Sequence, residues 1–251
     1  MAYTNHKFCW HGCVSTDVDK AIAFYTNVVG WTHAAVQMGD EEANMFVAAD
    51  KPRCHVMAPP MEGVPSHWSN YLRVTDVDAS TAAATEAGGQ VLVPPTDIPP
   101  GRFSVVASPS GAAVSLFTER DPETAENPPA GPGSFHWTEL HSTSIDADVA
   151  WLRAAFGFQT SEMPMPQGGT YYLINDGDTQ VGGAMQGMHE GAPSMWLTWV
   201  SVTDVDAATA RVTESGGNVL SPLMDMPGVG RMGIIQDPTG GVIGLITPAN
   251  A

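Results

Sequence analysis

The sequence predicts an α+β protein built from four modules, each with the element order βαβββ. Two observations lead to this prediction: the chain contains a long internal repeat, and each copy alternates short strand patterns with single amphipathic helices. The composition agrees, because 26 Gly and 20 Pro among 251 residues suit many short strands joined by turns better than long helices.

The repeat relates an N-terminal half to a C-terminal half. Residues 8–31 align with 135–158, residues 67–100 with 195–228, and residues 101–117 with 230–246. The middle pair is identical at 18 of 34 positions, so the two halves should share one fold. The stretch between the copies is acidic and rich in Pro and Gly, which is typical of a linker. We therefore predict a domain over residues 1–118, a linker over 119–134 and a second domain over 135–251.

Within the first half the module pattern occurs twice. A strand-like run precedes Asp17, and an apolar stripe at helical spacing follows it, so Asp17 is predicted to cap the first helix. Three short strand-like runs lie between residues 31 and 59. In the second module Asp76 caps a helix that should stop at Gly88 and Gly89, and the strand-like runs QVLV, FSVVA and AVSLF follow.

The charge balance limits the partners. Ten Lys and Arg against 27 Asp and Glu give a formal charge of −17, which argues against a surface that follows a nucleic acid backbone. The sequence shows neither a secretory signal pattern nor an apolar stretch long enough to span a bilayer. Three irregularly spaced cysteines favour reduced thiols. We expect a cytoplasmic monomer or homodimer that binds neither nucleic acid nor membrane.

Four short motifs follow one another along the chain: DxxxxxxFY with a later Gly-Trp, VTDVDA, a GG pair before a strand, and SPSG or DPTG before the last strand. In these motifs the chain resembles the vicinal oxygen chelate superfamily, which contains glyoxalase I, bleomycin-resistance and fosfomycin-resistance proteins and extradiol dioxygenases. It is most similar to the two-domain glyoxalase-like proteins. The resemblance implies two tandem glyoxalase-like domains, each an eight-stranded cup around a small molecule.

The resemblance also implies where a divalent metal would be held on the inner face of each cup. In the first half these positions fall on Trp10, Ser69 and Ser115, with Cys54 or His55 as a fourth candidate; in the second half they fall on Trp137, Leu197 and Gly244, with Gly182 or Gly183. Metal-dependent members have His and carboxylate ligands there. We therefore expect the classical metal site to be lost from both cups, and no cofactor.

One pair of residues points to proton chemistry. Trp137, Glu139 and His141 are spaced i, i+2, i+4, so on a strand they share one face, which the resemblance assigns to the cup. A carboxylate beside an imidazole is a usual general acid and base, and we predict Glu139 and His141 as catalytic residues. The alternative is that Glu139 bonds the backbone or an arginine such as Arg231 and only seals the cup.

Other side chains on the predicted cup faces would bind the ligand. These are Trp10, Ser69, Tyr71, Arg73 and Ser115 in the first half, and Trp137, Leu197 and Trp199 in the second. Arg73 could bind a substrate carboxylate or phosphate, or form a salt bridge with an acidic residue. The segment GVGRMG matches the dinucleotide-binding pattern GxGxxG, but a strand rather than a helix is predicted after it, so we expect no dinucleotide.

Three functions remain open from the sequence. The first is a metal-independent lyase, isomerase or hydrolase that uses Glu139 and His141. The second is a resistance-type protein that sequesters a drug or metabolite in an aromatic and Met-rich cup without turnover. The third is a glyoxalase or dioxygenase with an atypical metal site that uses His55, Glu139 or His141.

Overall fold

The computed structural model describes residues 6–38, 41–121, 130–165, 168–187 and 191–249. The elements of the first half are β1 (Lys7–Val14), α1 (Val18–Val29), β2 (Thr32–Met38), β3 (Glu41–Ala48), β4 (Lys51–Met57), β5 (His67–Arg73), α2 (Val77–Glu86), β6 (Gln90–Ile98), β7 (Gly101–Ala107) and β8 (Ala113–Glu119). Those of the second half are β9 (Phe135–Ser142), α3 (Ile145–Phe156), β10 (Gln159–Pro164), β11 (Thr170–Asp176), β12 (Thr179–Gln186), β13 (Met195–Ser201), α4 (Val205–Glu214), β14 (Asn218–Val219), β15 (Met224–Met226), β16 (Gly230–Gln236) and β17 (Val242–Pro248).

Each half forms one mixed sheet. The strand order is β2-β3-β4-β1-β5-β8-β7-β6 in the first sheet and β10-β11-β12-β9-β13-β17-β16-β14 in the second, where β15 also pairs with β16. The predicted α+β fold of four βαβββ modules is confirmed. The second half departs from the first at one edge, where two short strands, β14 and β15, replace the long β6.

Aspartate caps begin three of the four described helices. The side chains of Asp17, Asp76 and Asp204 accept hydrogen bonds from backbone N–H groups three residues further on, which satisfies one of the donors exposed at a helix start. Helix α1 ends at Gly30, whose φ of 84° is the left-handed conformation that glycine adopts without strain. The predicted helix boundaries therefore follow from local chemistry.

The chain divides into two compact units that do not coincide with the sequence halves. Unit 1 contains Met1–Trp10, Asn70–Ala125 and Thr138–Trp196, and unit 2 contains His11–Ser69, Glu126–Trp137 and Leu197–Ala251. Each unit thus combines one module from each half. The division into domains at residues 119–134 stays a prediction, and residues 122–129 of that linker lie outside the described part of the chain.

Each unit has its own hydrophobic core. The core of unit 1 packs α2 and α3 around Leu116, Leu140 and Trp151, which are at most 1% exposed. In unit 2, α1 and α4 pack around Tyr25 and Trp31, which are equally buried. Burying such large aromatic side chains is the main source of stability in each unit.

Two further sequence predictions concern individual segments. The GVGRMG glycines lead into strand β16, not into a helix, so this segment lacks the geometry of a dinucleotide site. Within the described residues, none of the helices combines the length and the apolar character needed to cross a membrane.

Candidate active site in the second half

Strand β9 places Glu139 and His141 together on one face. Leu140, which lies between them, is fully buried in the core of unit 1, so the two polar side chains project from the opposite face of the strand. The Nε2 atom of His141 lies 2.9 Å from Oε1 of Glu139, and both residues are buried. The sequence pattern alone placed these two side chains on one face, and the structure brings them into contact.

A third polar side chain, Tyr171, completes the cluster. Its hydroxyl donates a hydrogen bond of 2.7 Å to Oε2 of Glu139. Each oxygen of the Glu139 carboxylate therefore has its own partner, an imidazole on one side and a phenol on the other. Sequence reasoning missed Tyr171 because it lies on β11, two strands away from β9, and only the register across β12 brings it near.

Gly183 makes the contact between Tyr171 and Glu139 possible. It lies on β12 directly beside Glu139 in the parallel register, and a Cβ atom at this position would lie 1.9 Å from Oη of Tyr171. The tyrosine side chain therefore crosses the sheet over the glycine, which leaves the needed space. The sequence did not reveal that the contact needs a residue without a side chain at position 183.

Apolar side chains surround this polar cluster. The cross-strand register aligns Met163, Tyr171, Met185 and His141 in one row across β10, β11, β12 and β9. Residues aligned in this way share a face of the sheet. Met185 is buried, whereas Met163, on the edge strand, is 49% exposed. The row therefore runs from a buried acid/base group to an accessible, adaptable thioether.

The other predicted residues of the second half lie in unit 2. Trp137 is half-buried, and its carbonyl accepts a hydrogen bond of 3.3 Å from Thr198. Leu197 and Trp199 are buried side chains of β13. Arg231, the alternative partner considered for Glu139, pairs instead with Asp206 and Asp225 on the surface.

In the first half, Gly12, His55 and Ser69 lie close together in unit 2. An ideal Cβ atom on Gly12 would lie 2.2 Å from Nε2 of His55 and 2.6 Å from Oγ of Ser69. The Ser69 hydroxyl donates to the carbonyl of Gly12 over 3.3 Å. Burial lowers the pKa of His55 to about 4, so its imidazole is neutral at physiological pH.

The remaining first-half residues lie in unit 1. Arg73 forms an ion pair with Glu119 through Nε at 2.8 Å and through Nη2, so the salt bridge considered for Arg73 exists. Tyr71 lies opposite Ser115 in the parallel register of β5 and β8, and its ring meets Phe117 edge-on. These side chains are a candidate polar contact region for a ligand.

Two residues near the start of β1 complete the first half. Trp10 is half-buried. Burial, together with the negative charge of Glu119, raises the pKa of Cys9 to about 12, and its Sγ donates to the carbonyl of Tyr71 over 3.5 Å. A thiol with such a pKa packs as a neutral group rather than acting as a nucleophile.

Most of the positions that the resemblance assigns to metal ligands lack a side chain that suits a divalent metal, and His55 is the exception. A Cβ atom on Gly244 would lie 2.2 Å from Cε3 of Trp199, so the indole fills the space that a ligand carboxylate would need. The neighbouring position is the buried, aliphatic Leu197. In the first half, Ser69 and Ser115 offer only hydroxyls, which are weak ligands compared with His and carboxylates.

No alternative cluster of ligands was found in the described part of the chain. There, no three His, Cys, Asp or Glu side chains are grouped so that they could hold a metal ion. The third polar side chain beside Glu139 and His141 is the phenol of Tyr171.

Comparison with solved structures supports the fold. The Mn(II)-bound glyoxalase from Novosphingobium aromaticivorans superposes with a TM-score of 0.62 at 18% identity, covering 96% of this chain and 81% of that one. The 2,3-dioxygenase LapB from Pseudomonas sp. KL28 gives a TM-score of 0.63 at 14% identity, covering 96% and 91%. At these identities the likeness concerns the fold alone.

Comparison of the sequence shows the family. The model of the Glyoxalase/Bleomycin resistance protein/Dioxygenase superfamily matches residues 11–116 and 134–245. The protein named "Putative glyoxylase CFP32" from Mycobacterium tuberculosis is 31% identical over 246 residues, which cover 96% of this chain and 94% of that protein. "Anthracycline biosynthesis protein DnrV" from Streptomyces peucetius is 32% identical over 250 residues, covering 92% and 89%. Since these matches extend over both halves, the chain belongs to the Glyoxalase/Bleomycin resistance protein/Dioxygenase superfamily.

Proposed function

We propose that the second half contains the active site of a metal-independent enzyme. This enzyme would transfer a proton to or from a carbon atom of a small organic carbonyl compound. The observation that carries this proposal is the Glu139 carboxylate, bonded through one oxygen to His141 and through the other to Tyr171. A carboxylate removes a proton from a carbon next to a carbonyl, and an imidazole or a phenol can supply a proton to the developing oxyanion. Lyases and isomerases that act through proton transfer can use this combination.

The geometry supports a role for each residue in this proposal. Glu139 lies between the two other groups and would act as the general base. Tyr171 and His141 would donate hydrogen bonds to a substrate oxygen that takes the place of the carboxylate as their partner. The names of the relatives, a glyoxylase and a protein of anthracycline biosynthesis, are compatible with a small organic substrate.

Proton exchange with solvent tests the proposal without a known substrate. The protein is incubated in D₂O with a panel of α-hydroxy carbonyl compounds and hemithioacetals, and loss of the C–H signal is followed by proton NMR. Glu139→Gln should lower the exchange rate by roughly 10²–10⁴-fold, the usual contribution of a general base. Glu162→Gln, which removes the same charge from an exposed position on β10 at the edge of the same sheet, should exchange like the wild type.

A binding function without turnover is the second candidate, and the row of Met163 and Met185 around Tyr171 favours it. Thioethers adapt to flat ligands of varied shape. In this case Glu139→Gln would leave ligand-induced thermal shifts near the wild-type value, and no compound would exchange its protons. The third candidate is a glyoxalase or dioxygenase with an atypical metal site. Elemental analysis of the same samples tests it, because only in that case would Glu139→Gln lower the metal content of the protein.

A further inference from the structure

A shallow groove of about 360 Å³ lies at the edge of the second-half sheet, and all of its lining residues belong to unit 2. The turn between β15 and β16 forms one wall, with Met226 and Pro227 at its apolar side. Arg231 and the end of β17, at Ala249, form the other wall. None of the functions considered for the second half uses this groove.

The repeat shows what occupies the same place in the first half. Arg120 is the counterpart of Ala249, and Ile98 is the counterpart of Met226. The Nη2 atom of Arg120 donates a hydrogen bond of 3.2 Å to the carbonyl of Ile98. An arginine side chain therefore reaches from the end of β8 to the turn, whereas Ala249 has only a methyl group at the equivalent position.

The backbone at the two positions is matched. The N–H of Arg120 donates to the carbonyl of Pro100, and the N–H of Ala249 donates to the carbonyl of Val229, both over 3.0 Å. The turn itself is one residue longer in the second half, because Ile98 pairs with Gly101 whereas Met226 pairs with Gly230. The groove therefore reflects this longer turn together with the small side chain of Ala249.

Charge favours a cation in the groove. Arg231 is shared between Asp206 and Asp225, so two carboxylates face one guanidinium, and the side chain of Asp225 remains 78% exposed. The chain as a whole carries −17, which attracts basic partners at a distance.

We propose that this groove is a docking site for an arginine side chain of a basic partner segment. The planar guanidinium would bond the carboxylate of Asp225 and a turn carbonyl, as Arg120 bonds the carbonyl of Ile98 in the first half. Its aliphatic stem would lie against Met226 and Pro227. The proposal does not depend on the acid/base function.

The test is a titration with the peptide acetyl-Gly-Arg-Gly-amide, followed through the methyl signals of Met226 and Thr247 by NMR. We expect saturable shifts that are absent with the matched citrulline peptide, which has the same shape without the charge. Ala249→Arg should fill the groove from within and abolish the shifts. Asp225→Asn, which leaves Arg231 paired with Asp206, should weaken binding roughly threefold, as expected for one exposed ion pair.

Arg120→Ala supplies the reverse control. It should open the first-half counterpart, so that a second set of shifts develops around Ile98 at similar peptide concentration. Equal shifts with the citrulline peptide, or shifts that persist unchanged in Ala249→Arg and in Asp225→Asn, would overturn the proposal.

Discussion

Gly12 and Glu139 occupy equivalent positions on the first strands of the two halves. Each faces a residue on the adjacent strand, and the glycine and the polar residue have changed places between the two halves. In the first half the small residue is on β1 and the polar side chain, His55, is on β4. In the second half the polar side chain, Glu139, is on β9 and the small residue, Gly183, is on β12. Both arrangements leave space over the glycine. His55 fills this space in the first half, and Tyr171 fills it in the second.

This exchange gives the two halves different chemistry on one fold. The first half places a neutral imidazole and the Ser69 hydroxyl over Gly12, a combination that suits hydrogen bonding to a neutral ligand. The second half places the Tyr171 phenol over Gly183, where it meets the Glu139 carboxylate. A duplicated fold can thus keep its strand register and still place different polar groups at equivalent positions.

The largest difference between the two halves is expected in the proton-exchange rate when Gly183 and Gly12 are each replaced by alanine. Gly183→Ala should drive Tyr171 away from Glu139, because the new Cβ would lie 1.9 Å from Oη, and lower the proton-exchange rate by about 100-fold. Gly12→Ala should displace His55 in the same way but leave that rate unchanged. The NMR exchange assay used for Glu139→Gln measures both variants.

Thermal unfolding of the two glycine variants provides the control. Both methyl groups should lower stability by a similar amount, about 1–3 kcal/mol, as for other overpacked sites. Equal loss of activity in the two variants would mean that the first half also takes part in the reaction, and the division of chemistry between the halves would then be wrong.

The fold could be predicted because its signals are local. Asp17, Asp76 and Asp204 start helices through bonds to residues three positions away, and the repeat shows the module order directly. Alternation along a single strand was also enough to place Glu139 and His141 on one face.

The rest of the site could not be predicted because it depends on registers between strands. Tyr171 reaches Glu139 only through the pairing of β11 with β12 and of β12 with β9. A register shift after Ile174 means that residue counts alone do not give this alignment. Gly183 contributes by having no side chain, and no sequence pattern indicates that this space is needed.

A second difference between the halves concerns equivalent buried tryptophans. The indole N–H of Trp68 donates to Oη of Tyr25, which in turn donates to Asp237, both over 2.8 Å. Trp196 is its counterpart, but Leu152 stands where the first half has Tyr25, and Nε1 of Trp196 finds no partner among the described residues. One half thus satisfies a buried donor that the other leaves unsatisfied.

A matched pair of substitutions should measure this difference. Trp68→Phe and Trp196→Phe remove similar apolar area, since the two side chains are 6% and 5% exposed. Only Trp68→Phe also breaks a hydrogen bond, whereas Trp196→Phe removes an unpaired donor, so Trp68→Phe should cost about 2 kcal/mol more. Denaturant titration followed by circular dichroism gives both unfolding free energies. Equal losses would show that Trp196 has a solvent-mediated partner.

The smallest expected effect of a single substitution concerns the dependence of stability on pH, to which two histidines of the first half contribute. Burial lowers the pKa of His55 to about 4, and burial with the nearby His55 lowers the pKa of His11 to about 3. In the second half the corresponding residues are Gly183 and Thr138, which do not titrate. The loss of stability at low pH that comes from these two positions should therefore arise in unit 2 alone.

The sign follows from the ordinary histidine pKa of about 6.5 in the unfolded chain. As the pH falls below that value, protons bind the unfolded chain before the folded one, so the free energy of unfolding decreases by up to about 1.4 kcal/mol per pH unit for each histidine. Measurements between about pH 6.5 and pH 5 avoid most carboxylate titration. His55→Gln and His11→Gln should each remove part of this slope, and the exposed His33→Gln should retain it. A slope that both buried-histidine variants keep would assign the acid sensitivity to other groups and remove this distinction between the halves.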